Sequence, residues 1–157
     1  MDYTVDRDML FPLIDEEVSR VANETYSDDG TSLYDNIRIT SADHDTIDRL
    51  EDDAVNTFVK RVQDICTLSA EHTAEDEDGE EVVIPTVLSF YVPDFDLSLT
   101  EITAREITRY IVLNTCAAWF QARCKDKVQE YADRSQVAMD KAVAYLKTIK
   151  LHDRRRR

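Results

Sequence analysis

Glycine occurs only twice in 157 residues, at Gly30 and Gly79, and proline three times. A many-stranded sandwich or barrel needs a turn residue at nearly every corner, and this chain has too few to supply them. It must cover its length with few corners and long elements, which points to helices. At this length one hydrophobic core suffices without disulfides or metal. The chain therefore reads as mainly α: a helical bundle with long C-terminal helices and an inserted β-hairpin. Residues 1–150 form a single domain, and residues 151–157 form a basic C-terminal arm.

Apolar spacing places the helices. Leu10, Leu13, Ile14, Val18, Val21 and Ala22 follow the 3–4 repeat of one buried stripe, predicting a helix over about 9–26, capped by Asp8. Ser27, Asp28, Asp29 and Gly30 end it, with Gly30 free to turn left-handed. A connector follows, with an extended piece at Ile37, Arg38 and Ile39. Thr40 or Ser41 then caps a second helix, about 42–65, with the stripe Ile47, Leu50, Ala54, Phe58, Val62 and Ile65. Its first turns hold Asp43, Asp45, Asp48, Glu51, Asp52 and Asp53, where carboxylates answer the positive end of the helix dipole. Ser98 and Glu101 have the spacing of a capping box and open a third helix, apolar on nearly every face and therefore central. The helical pattern runs over 99–149, with a polar stretch near 123–127 marking a possible bend.

Between the second and third helices the periodicity changes. Residues 67–92 read as a β-hairpin whose second arm is β-branched and aromatic, with Pro85 implying an edge or a bulge. Its turn is Glu75, Asp76, Glu77, Asp78, Gly79, Glu80 and Glu81, with Asp78-Gly79 as the tight corner. Six acids in seven residues cannot be buried unpaired, so this tip faces solvent or a channel. A lone two-stranded hairpin is barely stable in water, so the body of its own bundle or another copy must cover it.

The formal net charge of −14 is unevenly spread. The first hundred residues carry 26 acids against 6 bases, and the remainder 7 against 13. Such a chain does not grip nucleic acid by its phosphates over a basic face. It suits head-to-tail attraction between copies, or an acidic protein partner for the basic end. Cys66, Cys116 and Cys124 have no metal-site spacing and read as small apolar residues in a reducing compartment. Asp2, Asp6 and Asp8 stand where a secretory signal would be basic, which predicts synthesis in the cytoplasm. The longest uncharged stretches are too short to cross a bilayer, so no membrane partner is expected.

A search for chemistry leaves little. His44, His72 and His152 lie in different elements, and His44 between two aspartates is a surface residue at a helix start. The second helix lacks the Glu-x-x-His pairs of a di-metal bundle, and two glycines cannot make a phosphate loop. The acidic tip lacks the ligand order of a calcium loop. No catalytic residue, metal or cofactor is assigned. The run Arg154, Arg155, Arg156 and Arg157, with Leu151 before it, reads as an arm. Arginine suits paired, partly desolvated contacts with carboxylates, which favours a docking arm over a DNA clamp or a solvated helix end.

The order of elements resembles the head-to-tail connector, or adaptor, proteins at the neck of tailed bacteriophages. The likeness spans most of the chain as a pattern of elements. Residues 34–40 lead into Asp45-Thr46-Ile47-Asp48-Arg49-Leu50, and Phe58-Val59-Lys60-Arg61 follows. Tyr110-Ile111-Val112, Trp119-Phe120, Tyr131-Ala132 and the arginine-rich end complete it. The acidic hairpin is long for that pattern, and the C-terminal helices lack a proline break. The resemblance implies a virion protein: a homo-oligomeric ring, typically a dodecamer, beneath the portal protein and in contact with other neck or tail proteins. DNA passes through without sequence-specific binding, and no enzyme activity is implied. On that reading the arm docks onto the portal. Phe120 and Ile111 face the core, while Trp119, about 100° round the helix, reaches the C-terminal segment or a neighbouring subunit. The alternative reading is an acidic inhibitor, or DNA mimic, of a nucleic-acid enzyme.

Overall fold

The helix that is apolar on nearly every face lies at the centre of the molecule. The structure, a computed structural model, describes residues 1–76 and 78–148. In chain order its elements are β1 (Asp2–Thr4), α1 (Arg7–Glu24), α2 (Tyr34–Ile37), α3 (His44–Arg61), β2 (Cys66–Ser69), β3 (His72–Glu75), β4 (Glu81–Ile84), β5 (Val87–Phe90), α4 (Thr100–Phe120) and α5 (Lys125–Leu146). Short 3-10 turns, Ser41–Asp43 and Leu97–Leu99, lead into α3 and α4. The fold is thus mainly helical, with two long C-terminal helices and a small antiparallel β insertion.

α4 buries Ile107, Tyr110, Ile111, Leu113, Cys116, Trp119 and Phe120. α5 folds back along it in the most extensive helix contact, and α3 and α1 pack on its other sides. The bend expected near 123–127 is a full break, and the helical pattern over 99–149 is two helices. The chain leaves the helix after Phe120 and re-enters at Lys125, where Phe120 O accepts the N–H groups of both Arg123 and Cys124. A bent rod would have left the apolar faces of both halves uncovered; the αα-hairpin closes them on each other, with Phe120 and Tyr131 meeting edge to face at 5.0 Å.

Several boundaries differ from the periodicity for one reason: the flanking chain is already engaged. α1 begins earlier, capped by Asp6, whose carboxylate accepts Met9 N–H at 3.2 Å, because Val5 still pairs with Thr86 of the sheet. Asp8 lies in the first turn instead. The helix ends at Thr25, so Gly30 (φ +82°) is not its stop; it serves a tight loop in which Tyr26 bridges Ser32. A helical turn occupies Tyr34–Ile37, so of the piece expected to be extended at Ile37, Arg38 and Ile39 the first residue is helical and Arg38 (φ −58°, ψ 152°) leaves the helix. Thr40 and Asp43 cap each other ahead of α3, which stops at Arg61, short of the expected 65. Asp96, not Ser98, caps the turn before α4, accepting both Ser98 N–H and Ser98 hydroxyl.

The β insertion is a ribbon in two sections. Ser69 faces Val87 in β2–β5 and, three residues on, His72 faces Ile84 in β3–β4, so one register continues through both. The interruption falls at Pro85, which has no N–H to give. Glu71 N–H is satisfied by Thr86 Oγ1 at 3.0 Å instead. β1 adds to the base of the ribbon and completes a sheet ordered β1–β5–β2, with Tyr3 facing Leu88. The cover that a lone hairpin needs thus comes from the chain's own first strand and from the core beneath Leu88 and Phe90. Among the described residues, β3 and β4 pair only with each other.

Candidate interaction surfaces

The acidic tip is where the sequence places it. Glu75, Asp76, Asp78, Glu80 and Glu81 are exposed, and Glu77 lies outside the described residues. Asp76 organises the turn: its carboxylate accepts Asp78 N–H and Glu80 N–H, both at 2.9 Å, and Gly79 takes φ +79°. The other described tip acids point their charge at solvent, and Val83 beside them is 64% exposed. The arm, with Leu151, Arg154, Arg155, Arg156 and Arg157, lies outside the described residues.

Trp119 is not on a surface. It is 1% exposed, and its indole N–H donates to Ile37 O at 2.7 Å. The ring is buried within the chain and its N–H partner is the last carbonyl of the helical turn α2, so Trp119 presents no surface to a neighbouring subunit. Arg123 stacks 3.4 Å above the ring and reaches Asp43 at 3.9 Å, tying the end of α4 to the start of α3. Phe120 and Ile111 are buried in the core.

Sequence reasoning missed a cluster at the root of the ribbon. Arg7 pairs with Asp48 at 3.2 Å, Asp52 at 2.9 Å and Glu71 at 3.6 Å, joining α1, α3 and the ribbon at one guanidinium. Beneath it Glu51 is 1% exposed, and neither carboxyl oxygen has a hydrogen-bond partner among the described residues. Burial, aided by the charges of Asp48 and Asp52 and opposed by Arg7, pushes its pKa up to about 7. Tyr3, whose hydroxyl meets Thr108 Oγ1 at 2.8 Å, feels the same carboxyl. Glu51 falls between Ile47 and Ala54 on the buried stripe, and that position was the available signal.

A second missed feature lies where α1, α4 and α5 meet. Tyr131 hydroxyl donates to Glu17 Oε2 at 2.6 Å, and Arg20 Nη2 donates to both, at 2.9 and 2.8 Å. Burial works against the Glu17 charge, but these bonds outweigh it and hold its pKa below the ordinary carboxylate value. Beside this network opens a cleft of about 300 Å³, floored by Leu13, Val112 and Leu113 and walled by Arg105, Arg109 and Arg134, with Glu16 and Glu17 on the α1 side. Leu13 belongs to the expected buried stripe yet is exposed here, because it lines the cleft. Arg134 is engaged with Glu17, Glu130 and the Tyr131 ring. Arg105 and Arg109, one turn apart on α4, are exposed and make no ion pair among the described residues. Two arginines four apart on one face of a mostly apolar helix were the sequence signal.

Burial pushes the Cys66 and Cys116 thiols up, away from the thiolate that nucleophilic chemistry requires. Among the described residues, no group of three or more His, Cys, Asp or Glu side chains could hold a metal ion. His44 is exposed and lies against Phe11, ring centres 4.3 Å apart. No described helix is long and apolar enough to cross a membrane. The charged surfaces of the described residues are an acidic ribbon end and an arginine-walled cleft. No family model, curated protein or solved structure matches this chain.

Proposed function

We propose that this chain is a structural virion protein: the repeating subunit of a ring at a phage neck, connecting the portal to the tail while DNA passes through. The observation that carries the reading is the polarity of one folded domain. An acidic ribbon projects from it, and arginines that make no ion pair among the described residues stand elsewhere, on α4. A closed ring needs two unlike, complementary faces on each subunit, and this distribution supplies them. The acidic excess of the first hundred residues also suits a passage that must not trap phosphates. The DNA-mimic alternative is less favoured, because Asp48 and Asp52, which would imitate phosphates on α3, are taken up by Arg7.

The test is the mass of the full chain by light scattering, alone and with portal-bearing heads. A ring of about a dozen copies is expected. A monomer under both conditions overturns the proposal. Truncation after Lys150 tests the docking role of the arm: the shortened chain should fold, yet fail to join heads. Binding by the full chain should weaken with salt.

A further inference from the structure

We propose that the arginine cleft between α1, α4 and α5 receives the acidic ribbon tip of a second copy of this chain, and that this is the repeating head-to-tail contact. The inference deepens the ring reading and rests on it.

Charge complementarity within one sequence selects the occupant. Arg105 and Arg109 are cations on the cleft wall with no ion pair among the described residues, and Glu75, Asp78, Glu80 and Glu81 are exposed anions at the ribbon end. No described ribbon residue lines the cleft within the chain, so the two surfaces are separate patches on one subunit. Complementary patches that do not meet within one copy form a heterologous contact between copies, which repeats and closes into rings. The apolar parts also match. Val83, 64% exposed beside the tip, is the counterpart of Leu13, 39% exposed at the cleft. A two-stranded ribbon is marginal in water, and docking its end supplies the packing that β3 and β4 lack.

A nucleic acid is the weaker occupant. The cleft holds about 300 Å³, room for a few side chains, and Glu16 and Glu17 share its wall. A net charge of −14 repels a polyanion that approaches along its whole length. A short acidic ribbon carries its charge at one end and enters without that cost.

The experiment uses two charge-reversed full-length chains. One carries Arg105→Glu and Arg109→Glu; the other carries lysine at Glu75, Asp78, Glu80 and Glu81. The reversed positions are exposed, and circular dichroism should show both chains folded. A single reversal, Arg105→Glu, replaces the first chain should it not fold. Self-association is followed by sedimentation velocity, in solution and on portal-bearing heads. Each reversed chain alone should associate at least about tenfold more weakly than wild type, because like charges now face each other. An equimolar mixture of the two should recover association, because each tip then finds a cleft of opposite sign. Recovery in the mixture alone is the signature of the contact. Reversed chains that associate as tightly as wild type overturn the cleft–tip contact and leave the ring standing. A wild-type chain monomeric under every condition overturns both. Duplex DNA binding by wild type, lost with Arg105→Glu and Arg109→Glu, assigns the cleft to a polyanion and overturns the inference.

Discussion

Replacing Glu51 with glutamine should stabilise the protein at alkaline pH far more than at mildly acidic pH. The folded-state pKa of Glu51 is raised from an ordinary 4.5 to about 7. Between those values the native state holds a proton that the unfolded chain releases. Folding stability from this group is therefore full below 4.5 and falls as pH rises through 7. Glutamine has no proton to lose and removes that fall. Its amide meets the same partnerless pocket as the protonated carboxyl, so the two side chains should be nearly equivalent at low pH. An isoelectric point near 4.5 makes work at that pH impractical, so the comparison belongs higher. Between about pH 5.5 and the folded pKa the wild type should lose ~2 kcal/mol relative to the variant. Water at the rim of the Arg7 cluster screens part of this, leaving about 1–2 kcal/mol. The assay is urea unfolding followed by fluorescence of Trp119, which is buried when folded. The midpoint gap between Glu51→Gln and wild type should widen from about pH 5.5 to about pH 8.5. An equal gap at both values, or a variant less stable than wild type at the higher one, would refute the reasoning.

Trp119→Ala should cost about 3–5 kcal/mol in the monomer, seen as a lowered urea midpoint, because the ring is core and its N–H bond to Ile37 is lost. Asp6→Ala should cost ~1 kcal/mol by removing the α1 cap, whereas Asp8→Ala, in the first turn, should cost only a few tenths in the same assay. Serine at Glu75, Asp78, Glu80 and Glu81 should leave the thermal midpoint within about 2 °C of wild type, since those side chains are exposed. Adding Asp76→Ser should loosen the turn, because its carboxylate holds two backbone N–H groups, and hydrogen exchange at Asp78 and Glu80 should report it.

The long apolar repeats of α1, α3 and α4 were legible because each stripe runs for several turns. The ribbon was legible from its change of period and from the corner at Gly79. Short elements were not. β1 is three residues with no alternation to read, and it exists only because β5 offers an edge. α2 is one turn, and what fixes it is the indole of Trp119 reaching its last carbonyl, a partner 82 positions away. Caps failed for a related reason: Asp6 and Asp8, or Asp96 and Ser98, are equally good local candidates, and the path of the preceding chain selects between them. Glu51 occupies a core position that binary patterning assigns to an apolar residue. The cleft depends on three helices meeting, and Leu13 looked like core until its neighbours were known.

The lacing of the first strand to the fifth has a consequence in time. Tyr3 waits for Leu88, and the intervening chain takes about 4–17 s to synthesise at ordinary ribosomal rates. Throughout that interval α1 and α3 can form, but the seam at the base of the ribbon stays open. Once β5 emerges, its edge accepts whichever copy of β1 arrives first, because the hydrogen bonds are identical for either chain. On a crowded polysome the nascent copies are neighbours, and exchanged strands compete with the chain's own. Dilution and slow release should thus favour the self-laced form, and refolding from a concentrated denatured state should yield interlocked pairs that dissociate only as fast as the seam reopens.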